Sequence, residues 1–387
     1  RADFYGKSSF SRCLTGGTPH IYLPSVRRAG GLEIHCKFRR RLRIPAAVKV
    51  RIAPPRVLLY NEFKLGNGRI RMGLDGANFI VAFKAVVPVF VLIGIGLVIQ
   101  RQKLLTEAEL RRVNRMVFQI FFFVMMFYNL YTTNLGETFR PRLVVFALTA
   151  LAVVYGAAFA LVYRGERSNR RRGAMIQAIY RSNFVLMGVP LVGNMFGEAN
   201  IAVTTMMIAI VVPIYNVLGV ITLEIFRGGT CSVKKLFAGL LKNPMIRGAL
   251  LGLFCLLLKV PVPEPVLRPL SQVAAATTPL ALIILGASFH AGSTSEHRPQ
   301  LAVCIVSRLL LVPGAVLTAA ALLGFRGIEF ATLLSIFATP CAVAGFAMAQ
   351  QMESDADLAG NAVVFTTALS SLTIFGWILL AKTLGIF

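Results

Sequence analysis

Two stretches of this sequence hold the residues most suited to chemistry. The first runs Tyr180-Arg181-Ser182-Asn183-Phe184-Val185-Leu186-Met187-Gly188-Val189-Pro190-Leu191. The second runs Phe337-Ala338-Thr339-Pro340-Cys341-Ala342-Val343-Ala344-Gly345-Phe346. Each places Gly and Pro inside an otherwise apolar run. Proline removes a backbone donor and clashes with the preceding helical turn. One such proline often only kinks a helix. Gly/Pro interruptions at corresponding places in two apolar runs point instead to helices broken around a cavity, where freed backbone groups meet a ligand or one another. The N-terminus of a half-helix carries partial positive charge and suits a carboxylate. Asn183, Gly188, Pro190, Pro340 and Gly345 are therefore candidate binding residues. Asn216, three residues after Pro213 in Val212-Pro213-Ile214-Tyr215-Asn216, joins them. An amide can donate to a carboxylate or coordinate an ion through its oxygen, although a buried amide can also simply bridge helices; Gln119, Asn129 and Gln177 share that choice.

Ionisable side chains inside apolar spans are expensive and are functional candidates by default. Lys84, Arg115 and Glu224 fall near span ends, where they can snorkel. Arg181 and Arg308 lie deeper, and either could attract an anion or pair with helix carbonyls. Thr339, Asn361 and Thr366, around the second interruption, could offer oxygen ligands to an ion. No Asp or Glu lies deep in a span, so no proton carrier stands out. Other chemistry lacks its residues. The six cysteines show no C-x-x-C spacing, and the four histidines form no metal-binding pattern. No cofactor, metal or enzymatic activity is expected.

These residues need elements to hold them. The chain is 56% hydrophobic with a mean hydropathy of +0.70, and from Phe79 onward apolar blocks of span length recur between short polar breaks. Blocks of roughly 20 apolar residues match the hydrocarbon thickness as helices, and continuous rather than alternating apolarity excludes a β-barrel. We count ten spans: 79–99, 113–132, 143–163, 173–195, 201–226, 243–259, 266–289, 300–324, 328–351 and 358–385. The fold class expected is an all-α membrane protein of ten transmembrane helices, arranged as two inverted five-helix repeats. An odd number of spans per half makes the second half enter from the opposite side, the design of many carriers with broken fourth helices in each half. An offset of 157 residues places Gly188 on Gly345, Met195 on Met352 and Glu198 on Asp355.

Net charge is +25. No nucleic-acid-binding pattern accompanies it, so no nucleic-acid partner is expected. The bilayer and its anionic headgroups are the partner that such charge implies. Fourteen Lys and Arg fall in the loops after the first, third, fifth, seventh and ninth spans, and five in the remaining loops or at the span ends beside them. Positive loops prefer the cytoplasm, so a multi-pass protein of the plasma or inner membrane with both termini outward is expected. Residues 1–71 differ: they hold sixteen Lys and Arg against three acids and no span-length run. We expect this basic extension to be disordered or absent from the mature protein, and a chain starting at Met72 to insert and transport as well. Residues 72–226 form the first repeat, 227–242 a short cytoplasmic loop and 243–387 the second repeat.

The order of several pieces resembles the auxin efflux carrier (PIN-like) family of transporters, in its microbial form. They are Ser182-Asn183-Phe184 through Gly188-Val189-Pro190-Leu191, Phe196-Gly197, Pro213-Ile214-Tyr215-Asn216-Val217-Leu218, Lys242-Asn243-Pro244, Pro279-Leu280 through Leu285-Gly286-Ala287-Ser288, Thr339-Pro340 and Asp357-Leu358-Ala359. The likeness spans roughly 79–387. It implies a ten-helix carrier related to bile-acid/sodium symporters with crossing fourth and ninth helices, Asn183, Gly188 and Pro190 at the first crossover and Pro340 with Gly345 at the second. It also implies a small organic anion as substrate: a monocarboxylate, a dicarboxylate such as malate or malonate, or an auxin-like acid. Two features depart from the plant pattern. Ala344-Gly345 stands where plant members have a second Pro, and residues 227–242 are too short for the long plant loop. A sodium-coupled symporter is the rival on the same fold, and a channel or sensor the rival of another class. Proton or sodium coupling and a homodimeric assembly are both open to such a carrier.

Overall fold

The computed structural model describes residues 60–65, 68–73, 76–133, 139–197, 201–227, 233–289 and 296–387. Of the basic extension 1–71, expected to be disordered, residues 1–59 lie outside these residues, as do Glu198 and the side chains before Val86, Lys84 among them; its last residues instead enter two strands. A short antiparallel hairpin comes first, β1 (Tyr60–Leu65) on β2 (Gly68–Gly73), with Tyr60 opposite Gly73 and Leu65 opposite Gly68. Helices follow: α1 (Gly76–Arg101), α2 (Glu107–Tyr131), α3 (Pro141–Gly165), α4 (Asn169–Tyr180), α5 (Phe184–Phe196), α6 (Ala202–Phe226) and α7 (Val233–Lys242). The second half holds α8 (Pro244–Leu257), α9 (Glu264–Ala287), α10 (Arg298–Leu322), α11 (Gly327–Phe337), α12 (Val343–Gln351) and α13 (Ala356–Thr383). Among the described residues, six helices, α2, α3, α6, α9, α10 and α13, are long and apolar enough to cross a membrane.

Local sequence explains where these helices begin. Thr106 and Glu109 form a reciprocal capping box at the start of α2, which satisfies two otherwise orphaned donors. The Asn243 side chain accepts from Met245 N–H at 3.0 Å ahead of Pro244 in the first turn of α8. Asp355 does the same for Leu358 N–H at 2.9 Å in α13. One element falls where only a loop was expected. Residues 233–242 form α7, because Val233, Leu236, Phe237, Leu240 and Leu241 recur at helical spacing among lysines.

Two helix pairs approach closely through glycine. A Cβ at Gly96 of α1 would lie 2.1 Å from the Ile283 carbonyl of α9, and one at Gly286 of α9 would lie 2.1 Å from the Ile93 carbonyl of α1. In the other pair, Gly248 and Gly252 of α8 leave 2.2 Å and 2.6 Å to the carbonyls of Phe123 and Phe127 in α2. Without a side chain in the way, these backbones pack in direct contact, as small residues allow in membranes.

Loops divide between two faces. On one face, Arg171 meets Asp355 at 3.7 Å, His297 Nε2 meets Asp355 at 3.2 Å, and Arg227 meets Glu353 at 3.0 Å. Burial works against the charge of Glu166 there, but the N–H groups of Ser168 and Arg167 and the Gln300 amide outweigh it and hold the carboxyl below its usual range. On the other face, Arg140 meets Glu329 at 3.5 Å, and Tyr131 Oη accepts from Val262 N–H at 2.9 Å. The basic loops singled out in the sequence, at 164–172 and 227 and at 298, thus meet on the first face.

Candidate functional site

Both interrupted runs are broken helices, and the breaks touch. Between α4 and α5, residues 181–183 leave the helix; between α11 and α12, residues 338–342 do. Asn183 N–H donates to the Pro340 carbonyl at 2.7 Å, Ala342 N–H donates to the Arg181 carbonyl at 3.2 Å, and Ser182 and Cys341 form an antiparallel bridge between them. Each extended segment thereby satisfies the backbone groups the other has freed, which is what makes two breaks tolerable in an apolar interior. The first break lies ahead of Gly188 and Pro190. Pro190 follows directly on the π turn at the start of α5, and the helix runs on through it to Phe196, so it does not cause the break. Gly188 lies in a π turn, Phe184–Gly188, where a Cβ would press to 2.6 Å on the Phe184 ring and 3.0 Å on Ser335. Its role is packing beside the crossing.

On one side of the crossing opens a cleft with about 540 Å³ of empty space, open solvent at its mouth included. Its floor is Arg181, Ser182 and Asn183 from the first break, Ala342, Val343 and Ala344 from the second, and Tyr215 and Asn216 of α6. The opening turns of α5 and α12 both face it, so two helix N-termini direct their partial positive charge into one space. The walls are mostly apolar: Phe122, Met125 and Met126 of α2, Met245 of α8, Val185, Val212 and Ala281, with Thr278 of α9 adding one hydroxyl.

The polar groups of the floor are held, but loosely. The Arg181 side chain, 3% exposed, donates from Nη2 to the Asn216 amide oxygen and from Nη1 to Gln177 Oε1 at 3.2 Å and Met348 Sδ at 2.8 Å. Among the described residues no carboxylate lies within ion-pair distance of it. Asn216 Nδ2 donates to Met126 Sδ at 2.9 Å. Ser182 Oγ lies 3.2 Å from Tyr215 Oη. Asn183 is 7% exposed, and its Nδ2 has no hydrogen-bond partner. A buried donor without a partner calls for an explanation, and here it lines a cleft.

Remaining candidates fall elsewhere. Arg308 does not reach the cleft; it lies fully buried in a π turn of α10, Ser307–Leu311, on the carbonyl side of the crossing. The Thr339 hydroxyl donates to the Ser335 carbonyl at 2.8 Å. Asn361 is buried in α13. Gly345 lines a separate, smaller cavity with Gln177, Ala178, Cys341 and Phe346, where a Cβ would meet only Gln177 Oε1 at 3.9 Å. Thr366 Oγ1 accepts from Cys341 N–H at 3.1 Å and so anchors the second break to α13.

The family described as membrane transport protein matches residues 81–235 and 230–378. These segments cover well over half of the chain, including both breaks. The chain belongs to this family. It is the auxin efflux carrier group that the sequence resembles. An uncharacterized transporter of Methanocaldococcus jannaschii is similar to the chain, 24% identical over 220 residues, which is 55% of this chain and 70% of that protein. The family is one of transporters.

Four wall residues, Phe122, Met125, Met126 and Met245, had no signal in the sequence, since an apolar residue facing a cleft reads like one facing lipid. Tyr215 and Ser182 were visible only as neighbours of the residues singled out. For Asn183 the geometry gives a direct expectation. A hydrogen bond to a charged partner contributes roughly 1.5–3 kcal/mol. Asn183→Ala is expected to raise the KM for transport about tenfold or more, with kcat and membrane abundance little changed. An unchanged KM would return Asn183 to a packing role.

Proposed function

We propose that this chain is a secondary active carrier that binds a small organic anion in the cleft at the crossing, with ten membrane spans in two inverted five-helix halves and both termini outward. One observation carries the substrate reading. A buried guanidinium without a carboxylate partner, an amide donor without any partner and two helix N-termini converge on one cleft with mostly apolar walls. Charge of one sign, desolvated and unmatched, invites a ligand of the other. One guanidinium and mostly apolar walls favour a monocarboxylate with an apolar body over a dicarboxylate, whose second charge would meet methionine and phenylalanine.

The inverted-halves reading draws support from the glycine contacts. Gly96 packs on the Ile283 carbonyl, and Gly252 on the Phe127 carbonyl. Shifting the first contact by 156 residues and exchanging partners gives the second, so the first span packs on the seventh as the sixth packs on the second. The first break precedes the second by nearly the same interval, 181 against 338.

Uptake into proteoliposomes of a panel of labelled organic acids tests the reading. Saturable transport of apolar monocarboxylates, exceeding that of dicarboxylates, is the expected result. Transport confined to dicarboxylates would overturn the substrate preference, and failure to move any organic anion would overturn the carrier reading.

A further inference from the structure

On the side of the crossing opposite the two helix N-termini, the C-terminal ends of α4 and α11 converge. The last turn of α4 presents four carbonyls; the first keeps its helical partner and the other three are taken by side chains from outside the helix. Gln177 O accepts from Arg181 N–H at 3.0 Å and Ala178 O from Cys341 Sγ at 3.0 Å. Ile179 O and Tyr180 O accept from Arg308 Nη1 at 3.1 and 3.2 Å. The same guanidinium reaches the other broken helix, donating from Nη2 to Ile336 O at 3.0 Å and from Nε to Thr339 O at 2.8 Å. Arg308 is 0% exposed, and among the described residues no carboxylate lies within ion-pair distance.

A helix C-terminus carries about half a negative charge. Two of them meeting here sum to roughly one, and one guanidinium stands between them with its N–H groups on four carbonyls. A ring of backbone carbonyls is also how proteins strip and hold a free monovalent cation. Arg's planar, permanently charged fork makes it the residue suited to hold two such sets at fixed geometry.

We propose that Arg308 is a tethered cation: it occupies the carbonyl cage that a dissociable ion would otherwise have to fill for the crossing to form, so that transport by this chain requires no sodium or potassium. The inference rests on the carrier reading for its transport arm only, because the cage itself is a binding site that stability can report. Arg308 is a positioning residue; it touches no part of the cleft.

The test uses the purified full chain, in detergent and in proteoliposomes. For the wild type, replacing sodium and potassium with N-methylglucamine is expected to leave both Tm and organic-anion uptake unchanged; loss of uptake on that replacement would overturn the proposal. Arg308→Ala empties the cage. Its Tm is expected to fall and to recover by roughly 5–10 °C when methylguanidinium is raised to a hundredfold above its Kd, whereas urea, which is similar in shape but neutral, gives no recovery. Uptake by this variant is expected to depend on the added cation, a dependence that a merely structural arginine would not confer. Arg308→Met fills the cage with an uncharged side chain and is expected to respond to no cation. A folded Arg308→Ala chain indifferent to methylguanidinium, or equal recovery with urea, would overturn the proposal. Should Arg308→Ala not fold, the wild-type ion-replacement arm still decides. If the wild type moves no organic anion, the carrier reading fails while the Tm recovery still reads the cage.

Discussion

Arg181→Met is expected to lower kcat/KM for organic-anion transport by at least about a hundredfold, with the protein still folded and in the membrane. The charge of Arg181 is almost fully buried and has only an amide oxygen, a second amide oxygen and a thioether as acceptors. On the proposed reading, an anion supplies the counter-charge that these acceptors lack. Truncating one partner of a buried, hydrogen-bonded charge pair costs roughly 2–5 kcal/mol, which is about 30-fold to several thousandfold in affinity. Methionine keeps most of the volume, so the packing of α4 against α6 and α12 is retained. Arg181→Lys keeps the charge but loses the fork, and is expected to recover part of the loss. Transport by Arg181→Met at the wild-type KM and kcat would remove the anion from this cleft.

Gly286→Val is expected to leave little folded protein. A Cβ at this position would lie 2.1 Å from the Ile93 carbonyl oxygen and 2.9 Å from its carbon. Overpacking against side chains typically costs 1–3 kcal/mol because neighbours rotate away; a backbone carbonyl inside a helix cannot. The whole of α1 would have to move off α9. We expect loss of the monodisperse species on size exclusion, or a Tm lower by roughly 10 °C in whatever protein survives. Gly94→Ala is the matched control on the same helix, since nothing lies within 4 Å of a Cβ there. Normal yield and Tm for Gly286→Val would show that α1 and α9 are not held in this contact.

Apolar length was enough to place the long helices. The expected spans 143–163 and 201–226 stand beside α3 and α6 at Pro141–Gly165 and Ala202–Phe226, because lipid solubility leaves little freedom in where a span must start and stop. The position of the first break was less legible. Gly188 and Pro190 drew attention as helix breakers, yet the helix resumes through both, and the interruption falls on Arg181, Ser182 and Asn183. What decides it is a partner 157 or more residues away: the freed groups of 181–183 pair with Pro340 and Ala342, and long-range pairing has no local signature. Pro340, by contrast, does lie in its break. The two arginines were equally prominent in the sequence, and only the fold separates Arg181, on the N-terminal side of the crossing, from Arg308, on the C-terminal side. The glycines at 96, 248, 252 and 286 could not be told from lipid-facing glycines such as Gly94, since the difference lies wholly in what stands opposite.

Two of the cleft's donors end on sulfur. Arg181 Nη1 lies 2.8 Å from Met348 Sδ, and Asn216 Nδ2 lies 2.9 Å from Met126 Sδ. A thioether is a weak acceptor, and methionine is unbranched and adapts its shape. An oxygen acceptor in either place would compete with the ligand on nearly equal terms. Sulfur aims the donor, keeps it dry and gives it up at little cost. The resting site therefore mixes two grips: the amide oxygens of Gln177 and Asn216 hold the Arg181 fork in place, while the contacts to sulfur give way first.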